Sequence, residues 1–530
     1  GELMLPLMLK AVSEKKIKLE KVIELMCINP AKRFNIFPNK GLIKRGSDAD
    51  IVILDMNKKW TVDRNTLVSK GKNCAHLFFG EKIKGKINKT IVNGNVVYDG
   101  KKFYNIRKQG LVGDNFNNNE VLSNLPGRHA IGHVRYSTTG ESKAENLQPL
   151  FANLSLGGFA CAHNGNLTNT DSLKKELVSK GAIFQTTSDT ELILQLVARS
   201  RQKKLINKLI DALNKIKGAY SLVILTNKKL IGVRDPFGIR PLVLGSLNGS
   251  YVLASETCAL DIIGAKFIRD IENGEIISIE QNHIQSFKPF KKYNERPCIF
   301  EYIYFAMPHS VIGGKSVYEI RKQLGYELSK EDNVKAEIVV PVPDSGVPAA
   351  LGYSEGSKIN FDYGLIRNHY VGRTFIEPTQ NIRQFGVRLK HSANVQIVKN
   401  KSVVLLDDSL VRGTTSVKIV TMLFESGAKE VHLRIASPPI KYSDYYGIDT
   451  PEKDSLLAAK HNIDEMRDYI GCTSLKFLSI EGLYRALGYS ERNNEMPQFT
   501  DHCFTGDYPT KLSDIEQIPD HTSQLSLLEE

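Results

Sequence analysis

A short apolar run that ends in two carboxylates constrains the fold of this chain more than any other stretch. Residues 403–406 are too few for a buried helix and predict a strand covered on both faces. Asp407 and Asp408 follow at once, and a helical pattern resumes at Val417. The order of strand, acidic pair, loop and helix predicts an open α/β sheet with a ligand site at the carboxyl end of the strand.

The loop between the acidic pair and the helix has the chemistry of a phosphate site. It carries Arg412, Gly413, Thr414, Thr415 and Ser416. Glycine lets the backbone approach a ligand closely, and the free N–H groups of a helix N-terminus attract an anion. The two carboxylates can hold sugar hydroxyls directly or around Mg²⁺. A solvated acidic pair before an ordinary helix cap would explain a bare Asp-Asp, but it does not explain the whole string.

Residues 401–416, KSVVLLDDSLVRGTTS, resemble the phosphoribosyl-pyrophosphate (PRPP) motif of type I phosphoribosyltransferases, and most closely that of the amidophosphoribosyltransferase family. The resemblance implies that the acidic pair and the loop bind PRPP. A second apolar strand, residues 338–340, ends in Pro343-Asp344-Ser345-Gly346 before another helix. By resemblance Ser345 joins Asp407 and Asp408 as a ligand of Mg²⁺.

A basic segment, residues 365–390, lies between the two loops and contains four arginines. We interpret it as a lid over the pyrophosphate rather than a plain basic surface, because cationic groups stabilise a departing polyanion. Its VGRTFI string matches the flexible loop of the family. The match implies that Arg373 binds PRPP and that the loop completes an ammonia channel.

The basic character of the chain is confined to its first segment. The net charge is +13, and residues 1–110 alone hold 23 Lys and Arg against 10 Asp and Glu. The lysines are dispersed, which favours a solvated surface over a nucleic-acid site. No apolar run is long enough for a membrane span, and the start has no secretory signal. The seven cysteines form no CxxC pair, so a reducing cytoplasm is the expected compartment.

Residues 1–104 resemble the C-terminal end of dihydroorotase, a member of the amidohydrolase family. The matching strings are NPAKRF, KGLIKRGSDADIVILD and TIVNGNVVYDG. The metal centre of such enzymes needs a histidine cluster, whereas residues 1–110 contain one histidine, His76. We therefore expect no dihydroorotase activity. The initial Gly also suggests a fragment.

Residues 105–285 resemble the class II glutamine amidotransferase domain, an N-terminal-nucleophile fold. Four strings carry the resemblance: GHVRYSTTG, AHNGNLTN, TTSDTELI and VRDPFGIRPLVLG. It implies that Arg135 grips the glutamine carboxylate and that Asp189 holds the α-amino group. Asn164 and Gly165 would form the oxyanion hole. Taken singly, these residues could be an ordinary surface Arg and an Asn-Gly turn. Together and in this order, they favour a glutamine-binding site.

The family nucleophile, an N-terminal Cys, has no counterpart where this resemblance begins, near residues 107–112. Cys161 is the nearest cysteine to the oxyanion motif, but we expect it to be a buried structural residue in mid-strand. Without a thiolate, covalent glutaminase chemistry has no first step. We expect glutamine hydrolysis to be lost or impaired, and an exposed sheet edge where the nucleophile strand is missing.

The remaining segments are a phosphoribosyltransferase domain at 286–485 and a C-terminal tail at 486–530. Some family members hold an iron–sulfur cluster on four cysteines. Cys298 stands at a matching position and Cys503 at a possible one. Ser443-Asp444 replaces a third cysteine and FTDHCFTG lacks the fourth, so no cluster is expected. The resemblance also implies purine nucleotides as feedback inhibitors and a homo-oligomer, with neither nucleic acid nor membrane as a partner.

The predicted fold class is multidomain α/β and α+β. It combines a type I phosphoribosyltransferase α/β sheet with a truncated αββα glutamine amidotransferase domain, preceded by a small β-rich amidohydrolase tail. The predicted activity transfers ammonia, taken from glutamine in the family, to PRPP. The alternatives are a non-catalytic PRPP-binding or regulatory protein, a bifunctional pyrimidine–purine enzyme, which the missing histidines oppose, and a join that is an artefact of sequence assembly.

Overall fold

The structure, a computed structural model, divides the chain into two compact units, Gly1–Asn105 and Ile106–Glu530. The residues it describes are 3–44, 46–48, 50–63, 67, 75–92, 95–99, 103–125, 127, 129–135, 143–280, 282–368, 391–448, 453–512 and 514. None of the helices within these ranges has the length and apolar character needed to span a lipid bilayer.

The first unit is a three-stranded antiparallel sheet with helices. Its strands are β1 (Ile51–Thr61), β2 (Lys82–Val92) and β3 (Asn95–Asp99), in the order β1-β2-β3. Val92 pairs with Asn95, as the predicted two-residue hairpin connection requires. The helices are Met4–Ser13, Leu19–Ile23 and Asn29–Arg33, with a π-helical turn at Glu24–Ile28.

The apolar residues of the stretch 1–26 predict a single helix, and this prediction is wrong in its extent. The first helix ends at Ser13, and Lys15 takes a left-handed conformation with φ 59° before the second helix starts at Leu19. The residues between them, EKKIK, are mostly charged. A continuous helix would bury little apolar surface here, so packing would contribute little to its stability.

The first part of the second unit is two packed sheets with helices outside, as predicted. One sheet has the order β12-β11-β7-β6-β5-β4 and the other β10-β8-β9. Leu242 and Leu244 from the small sheet meet Ile277 from the large one in a shared core. The strands are β4 (Leu150–Leu154), β5 (Gly157–Leu167), β6 (Gly218–Thr226), β7 (Leu230–Arg234), β8 (Val243–Leu247), β9 (Ser250–Ala254), β10 (Lys266–Asp270), β11 (Ile276–Glu280) and β12 (His283–Phe287).

A five-stranded parallel sheet follows, in the order β16-β15-β19-β20-β21. Val404 and Leu406 of β19 pack on one face with Leu324, while Val403 and Leu405 pack on the other with Ile419. The predicted double-covered strand is confirmed. The strands here are β13 (Val311–Ile312), β14 (Lys315–Ser316), β15 (Ile338–Pro341), β16 (Asn360–Phe361), β17 (Leu365–Arg367), β18 (His391–Ala393), β19 (Ser402–Asp407), β20 (Glu430–Ile435) and β21 (Ser474–Phe477).

The second unit also contains fourteen α-helices within the described residues. They are Val112–Phe116, Asn119–Ser123, Thr170–Ser179, Asp189–Arg199, Leu205–Leu213, Thr257–Ile262, Val317–Lys330, Val347–Ser357, Val395–Val398, Thr414–Glu425, Leu457–Lys460, Ile463–Ile470, Ile480–Ala486 and His502–Thr505. The last of them belongs to the segment predicted as a tail, yet Phe499, Cys503 and Phe504 are buried in the main core. Residues 499–512 are therefore packed far more closely than a tail would be.

Candidate active site

Two strand-end loops meet at the carboxyl edge of the parallel sheet. β15 and β19 are neighbours with Pro341 opposite Leu406, and the Val342 N–H donates to the Leu406 carbonyl at 2.8 Å. A Cβ on Gly346 would lie 2.7 Å from the Leu406 oxygen, so only glycine allows this approach. The loop that contains Ser345 and the acidic pair after β19 therefore lie side by side, as predicted for parallel strands.

The acidic pair is held at this edge in a poorly solvated setting. Burial raises the pKa of Asp407 well above its usual value, and the adjacent Asp408 carboxylate raises it further. Burial also raises the pKa of Asp408, although hydrogen bonds from Ser345 and Ser409 and the charge of Arg321 oppose the rise. The three predicted metal ligands, Ser345, Asp407 and Asp408, thus lie together.

The loop after the acidic pair leads into a helix N-terminus with open backbone donors. Gly413 has φ 75° and precedes the helix Thr414–Glu425, whose first turn has no side-chain cap. A Cβ on Gly413 would lie 2.8 Å from Leu457, so the turn also needs glycine for space. Arg412, Thr414 and Thr415 are exposed around it, whereas Ser416 is buried. This is the arrangement of a phosphate site.

The predicted lid is described only at its two ends. Arg367 of β17 forms an ion pair with Asp344, and the His391 ring lies 3.3 Å from the Pro343 carbonyl. β17 and β18 pair with Arg367 opposite His391, so the two ends of the segment lie next to each other. Both residues contact the loop that contains Ser345. Arg373 and the rest of residues 369–390 lie outside the described residues.

The glutaminase motifs converge on strand β5. His133, from the motif of Arg135, lies with its Nε2 3.1 Å from the His163 carbonyl, next to Asn164. Asp189 begins the helix Asp189–Arg199 and accepts a hydrogen bond from the Leu167 N–H at 3.0 Å. Three motifs that are distant in sequence are thus brought to one place, as the sequence predicted. Arg135 is half-buried there.

His163 and Asp189 form a buried ion pair that sequence reasoning missed. The His163 Nδ1 lies 3.4 Å from the Asp189 carboxylate, and the His163 side chain is 1% exposed. Burial alone lowers the pKa of His163, but Asp189 outweighs burial and the net pKa is raised. Burial alone would raise the pKa of Asp189, but His163 and backbone donors lower it. The pair fixes the carboxylate predicted to bind the glutamine amine.

Gly165 and Asn164 occupy the tightest part of β5. Gly165 has φ 141°, and a Cβ there would lie 2.1 Å from the Ala219 carbonyl oxygen. The Asn164 amide oxygen lies 3.5 Å from the guanidinium of Arg240, which pairs with buried Glu301 at 3.2 Å. Cys161, on the same strand, is fully buried, and burial raises the pKa of its thiol far above the usual value. The prediction of a structural cysteine is confirmed.

The glutaminase strand and the parallel-sheet half touch directly. The Asn166 amide donates to the Tyr445 carbonyl at 3.0 Å. A Cβ on Gly447 would lie 2.8 Å from Gly165, so loop 443–448 packs onto the predicted oxyanion residues. Asp514 accepts a hydrogen bond from the backbone N–H of Asp171 at 2.7 Å. The C-terminal segment therefore contacts the start of the helix Thr170–Ser179, which follows β5.

Comparison with known proteins gives matches over most of the chain. The family model for glutamine amidotransferase domains matches residues 133–261, and the amidohydrolase family model matches residues 2–97. An amidophosphoribosyltransferase of Rhizobium etli is 58% identical over 427 residues, which is 79% of this chain and 86% of the relative. Amidophosphoribosyltransferase 1 of Arabidopsis thaliana, a chloroplast protein, is 49% identical over 77% of this chain and 71% of its own length.

A solved structure agrees with these relatives. Glutamine PRPP amidotransferase of B. subtilis, in complex with ADP and GMP, aligns with a TM-score of 0.71 at 45% identity and covers 76% of this chain and 88% of that one. The parallel sheet, its paired loops and the amidotransferase domain define an α/β transferase joined to a glutamine amidotransferase domain. Within that class the chain belongs to the amidophosphoribosyltransferase family, and the predicted fold class is confirmed.

Proposed function

We propose that the chain transfers ammonia to carbon 1 of PRPP and forms 5-phosphoribosylamine and pyrophosphate, the first step of purine synthesis. The observation that carries this proposal is the meeting of two strand-end loops at one sheet edge, with Asp407 and Asp408 between them. The relatives from Rhizobium etli and Arabidopsis thaliana, which are named for this activity, support it.

Ser345, Asp407 and Asp408 are the proposed ligands of Mg²⁺. Their oxygen atoms suit a hard cation, and burial raises the pKa of both carboxyl groups, an effect that a bound divalent cation would oppose. Bound here, Mg²⁺ would supply positive charge for the departing pyrophosphate.

The other residues of this edge would bind and shield the substrate. The N-terminus of the helix Thr414–Glu425, with Arg412 and Gly413 before it, is the proposed site of the 5-phosphate. Arg373 and the basic segment 365–390 are proposed to clamp the pyrophosphate and exclude water. As the bond from carbon 1 to pyrophosphate breaks, ammonia attacks that carbon and then loses a proton to solvent. The protein mainly positions and shields the reactants.

In the glutaminase half, Arg135 and Asp189 are the proposed glutamine ligands, and Asn164 and Gly165 the proposed oxyanion donors. This half is proposed to be impaired because no cysteine occurs in residues 105–160, ahead of the buried Cys161. Ammonia would then come from solution. The proposed boundaries of the two halves are 105–285 and 286–485.

Pyrophosphate release that depends on PRPP and Mg²⁺ tests the function, measured once with ammonium at alkaline pH and once with glutamine. We expect release with ammonium and little with glutamine. Asp408→Asn should abolish release, because one metal ligand loses its charge. Asp464→Asn, at a position whose side chain is 80% exposed, is the matched control and should keep full activity.

The other outcomes are equally informative. Release with glutamine that disappears in Cys161→Ala would refute the account of the missing nucleophile. Silence with both nitrogen sources, with PRPP still bound in calorimetry, would favour the non-catalytic binding protein instead.

Further parts of the proposal concern the first unit and the partners. Residues 1–104 are proposed to be a dihydroorotase-like segment without hydrolytic activity, since it holds one histidine, His76. Purine nucleotides are proposed inhibitors, as the B. subtilis relative was solved with ADP and GMP. A homo-oligomer in the cytoplasm is proposed, and the six described cysteines are all free thiols, as a reducing compartment would keep them.

A further inference from the structure

Three side chains with metal-binding atoms converge in the main core, and none of them belongs to the residues proposed to bind PRPP or glutamine. They are Asp444, His502 and Cys503, and their ligand atoms all lie within 4.8 Å of one another. His502 Nε2 lies 2.8 Å from Asp444 Oδ1 and 3.4 Å from Cys503 Sγ. The His502 and Asp444 side chains are 1% and 0% exposed, and Cys503 is 3% exposed, so the three atoms share a small volume that water does not reach.

The spacing of the three atoms matches that of a tetrahedral cation site. Zinc bonds of about 2.0 Å to nitrogen and oxygen and about 2.3 Å to sulfur give ligand–ligand distances of about 3.2–3.8 Å. The 3.4 Å between His502 Nε2 and Cys503 Sγ falls within this range. The 2.8 Å to Asp444 requires the pair to open by about half an ångström.

A hydrogen-bonded trio without metal accounts less well for these contacts. One Nε2 proton can serve only one of the two neighbours, the carboxylate or the sulfur, yet both approach the same nitrogen. Asp444 Oδ2 accepts the N–H groups of Tyr446 and Ile448 at 2.9 and 2.6 Å, and this orients Oδ1 toward the trio. Backbone donors that orient a ligating carboxylate in this way are typical of metal sites.

The charge balance also favours a divalent cation. Ile440, Tyr446 and Phe504 belong to the core cluster that surrounds the trio. A carboxylate and a thiolate together carry two negative charges, and a divalent cation makes the group neutral, which lowers the cost of burying it. The thiol and any imidazolium proton would leave to solvent as the metal binds.

We propose that Asp444, His502 and Cys503 bind one borderline-soft divalent cation of the Zn²⁺ type in a structural site. Two cysteines of this region match positions where some family members hold an iron–sulfur cluster. Only Cys298 and Cys503 remain there, and a cluster needs four thiolates, so the residues do not fit that group. Cys298 is 1% exposed and belongs to the same core cluster as Cys503, but it lies outside the group of three whose ligand atoms are within 4.8 Å of one another.

The site would join two distant segments of the chain. Asp444 lies in the loop 443–448 that packs on β5, and Cys503 lies in the helix His502–Thr505 near the C-terminal segment. Cys298 follows the glutaminase half and forms a bridge with Thr500. A cation here would hold the two halves of the second unit together, and this role is independent of the proposed transferase chemistry.

Metal analysis of the full chain tests the site without reference to activity. The purified protein should contain about one zinc per chain after a brief chelator wash. After exhaustive removal of metal, Co²⁺ added alone should give a tetrahedral spectrum with a near-ultraviolet band from thiolate to cobalt. Cys503→Ser should lose the thiolate band. Cys472→Ser, which removes a buried thiol from a different core cluster, is the matched control and should keep it.

Two results would overturn the proposal. Absence of bound zinc together with a featureless Co²⁺ titration of the unmutated chain would leave a hydrogen-bonded Asp–His–Cys cluster only. Iron with acid-labile sulfide would mean that a cluster is held after all. Because both measurements use the unmutated chain, they stay decisive even if Cys503→Ser fails to fold.

Discussion

At Gly165, strand β5 comes very close to the backbone of the neighbouring strand β6. A Cβ there would meet the Ala219 carbonyl oxygen at 2.1 Å, and the φ of 141° is unfavourable for any other residue. We expect Gly165→Ala to lower the free energy of unfolding by about 3 kcal/mol, since backbone atoms have to move. Urea unfolding measures this loss.

Gly249 provides the control for that substitution. It also has a positive φ, 79°, but a Cβ there would meet no atom within 4 Å. Gly249→Ala should therefore show only the backbone cost of about 1 kcal/mol. Equal losses in free energy of unfolding for the two variants would mean that the backbone near Ala219 can move away from a new Cβ at little cost. The close approach would then not require glycine at position 165.

The His163–Asp189 pair should make stability depend on pH. The raised pKa of His163 stabilises the fold below the unfolded value of 6.5, and this stabilisation disappears as pH rises through the folded pKa. The lowered pKa of Asp189 stabilises the fold above 3.8, and this is lost as pH falls through the folded pKa. Between 3.8 and 6.5 both contributions are present.

Asp189→Asn should thus cost more stability at about pH 5.5 than at about pH 9, by about 1–2 kcal/mol. Thermal melts at the two pH values measure the difference. Asp464→Asn, whose side chain is 80% exposed, should show no such dependence. A loss for Asp189→Asn that is the same at both pH values would mean that the pair is not ionised in the folded chain.

Single residues differ in how far the sequence reveals them. Cys161 was predicted to be buried because it sits in an apolar strand pattern, and the structure agrees. His502 was not predicted, because the iron–sulfur motif of the family contains only cysteines. A histidine next to Cys503 was the available signal, but only the fold brings Asp444 within 2.8 Å of it.

At the scale of elements, an ion pair connects the segment after β7 to the π-helical turn Glu301–Phe305. Arg240 and Glu301 pair at 3.2 Å with 0% and 3% side-chain exposure, and the Arg240 guanidinium lies 4.5 Å from the ring centre of Phe305. Glu301→Gln leaves a buried arginine without its counter-charge. We expect it to cost about 3–5 kcal/mol in urea unfolding.

An exposed pair gives the comparison for Glu301→Gln. Lys288 and Glu272 are 55% and 60% exposed, so Glu272→Gln should cost at most about 1 kcal/mol. If both substitutions cost the same small amount, the Arg240–Glu301 pair would contribute no more than a surface pair, and another contact would have to hold the two segments together.

The elements of the parallel sheet were predictable because their sequence patterns are local. β19 and the helix Thr414–Glu425 appear where the apolar run and the helical spacing predicted them. The order β16-β15-β19-β20-β21 was not predictable in full, since it depends on contacts between distant segments. The packing of Phe499 and Phe504 was missed for the same reason: a polar, turn-rich stretch around them gives no periodic signal.

At the scale of the whole molecule, the two units form separate compact bodies. A chain that begins at Ile106 should therefore keep its ammonium-dependent rate within about twofold, because each unit has a core of its own. Pyrophosphate release by the two chains, at equal concentration, measures this. A shortened chain that aggregates or is inactive would show that the first unit is required for folding of the second.

The join between the units could be found from sequence because two unrelated resemblances stop and start within a few residues of 105. The contact between the two halves of the second unit could not be found from the sequence. It rests on Asn166 with Tyr445 and on Gly165 with Gly447, pairs nearly 280 residues apart that carry no local signal.

The C-terminal segment contacts residues of both halves that are synthesised before it. Asp514 accepts N–H groups of Asp171 and Ser172, and Thr510 bonds to Tyr446 at 2.9 Å. The ribosome makes this segment after the strands of both halves, and domains fold in order of synthesis. The glutaminase half, which ends at residue 285, is therefore synthesised about 230 residues before Asp514 can contact it, and chaperones can act during this interval.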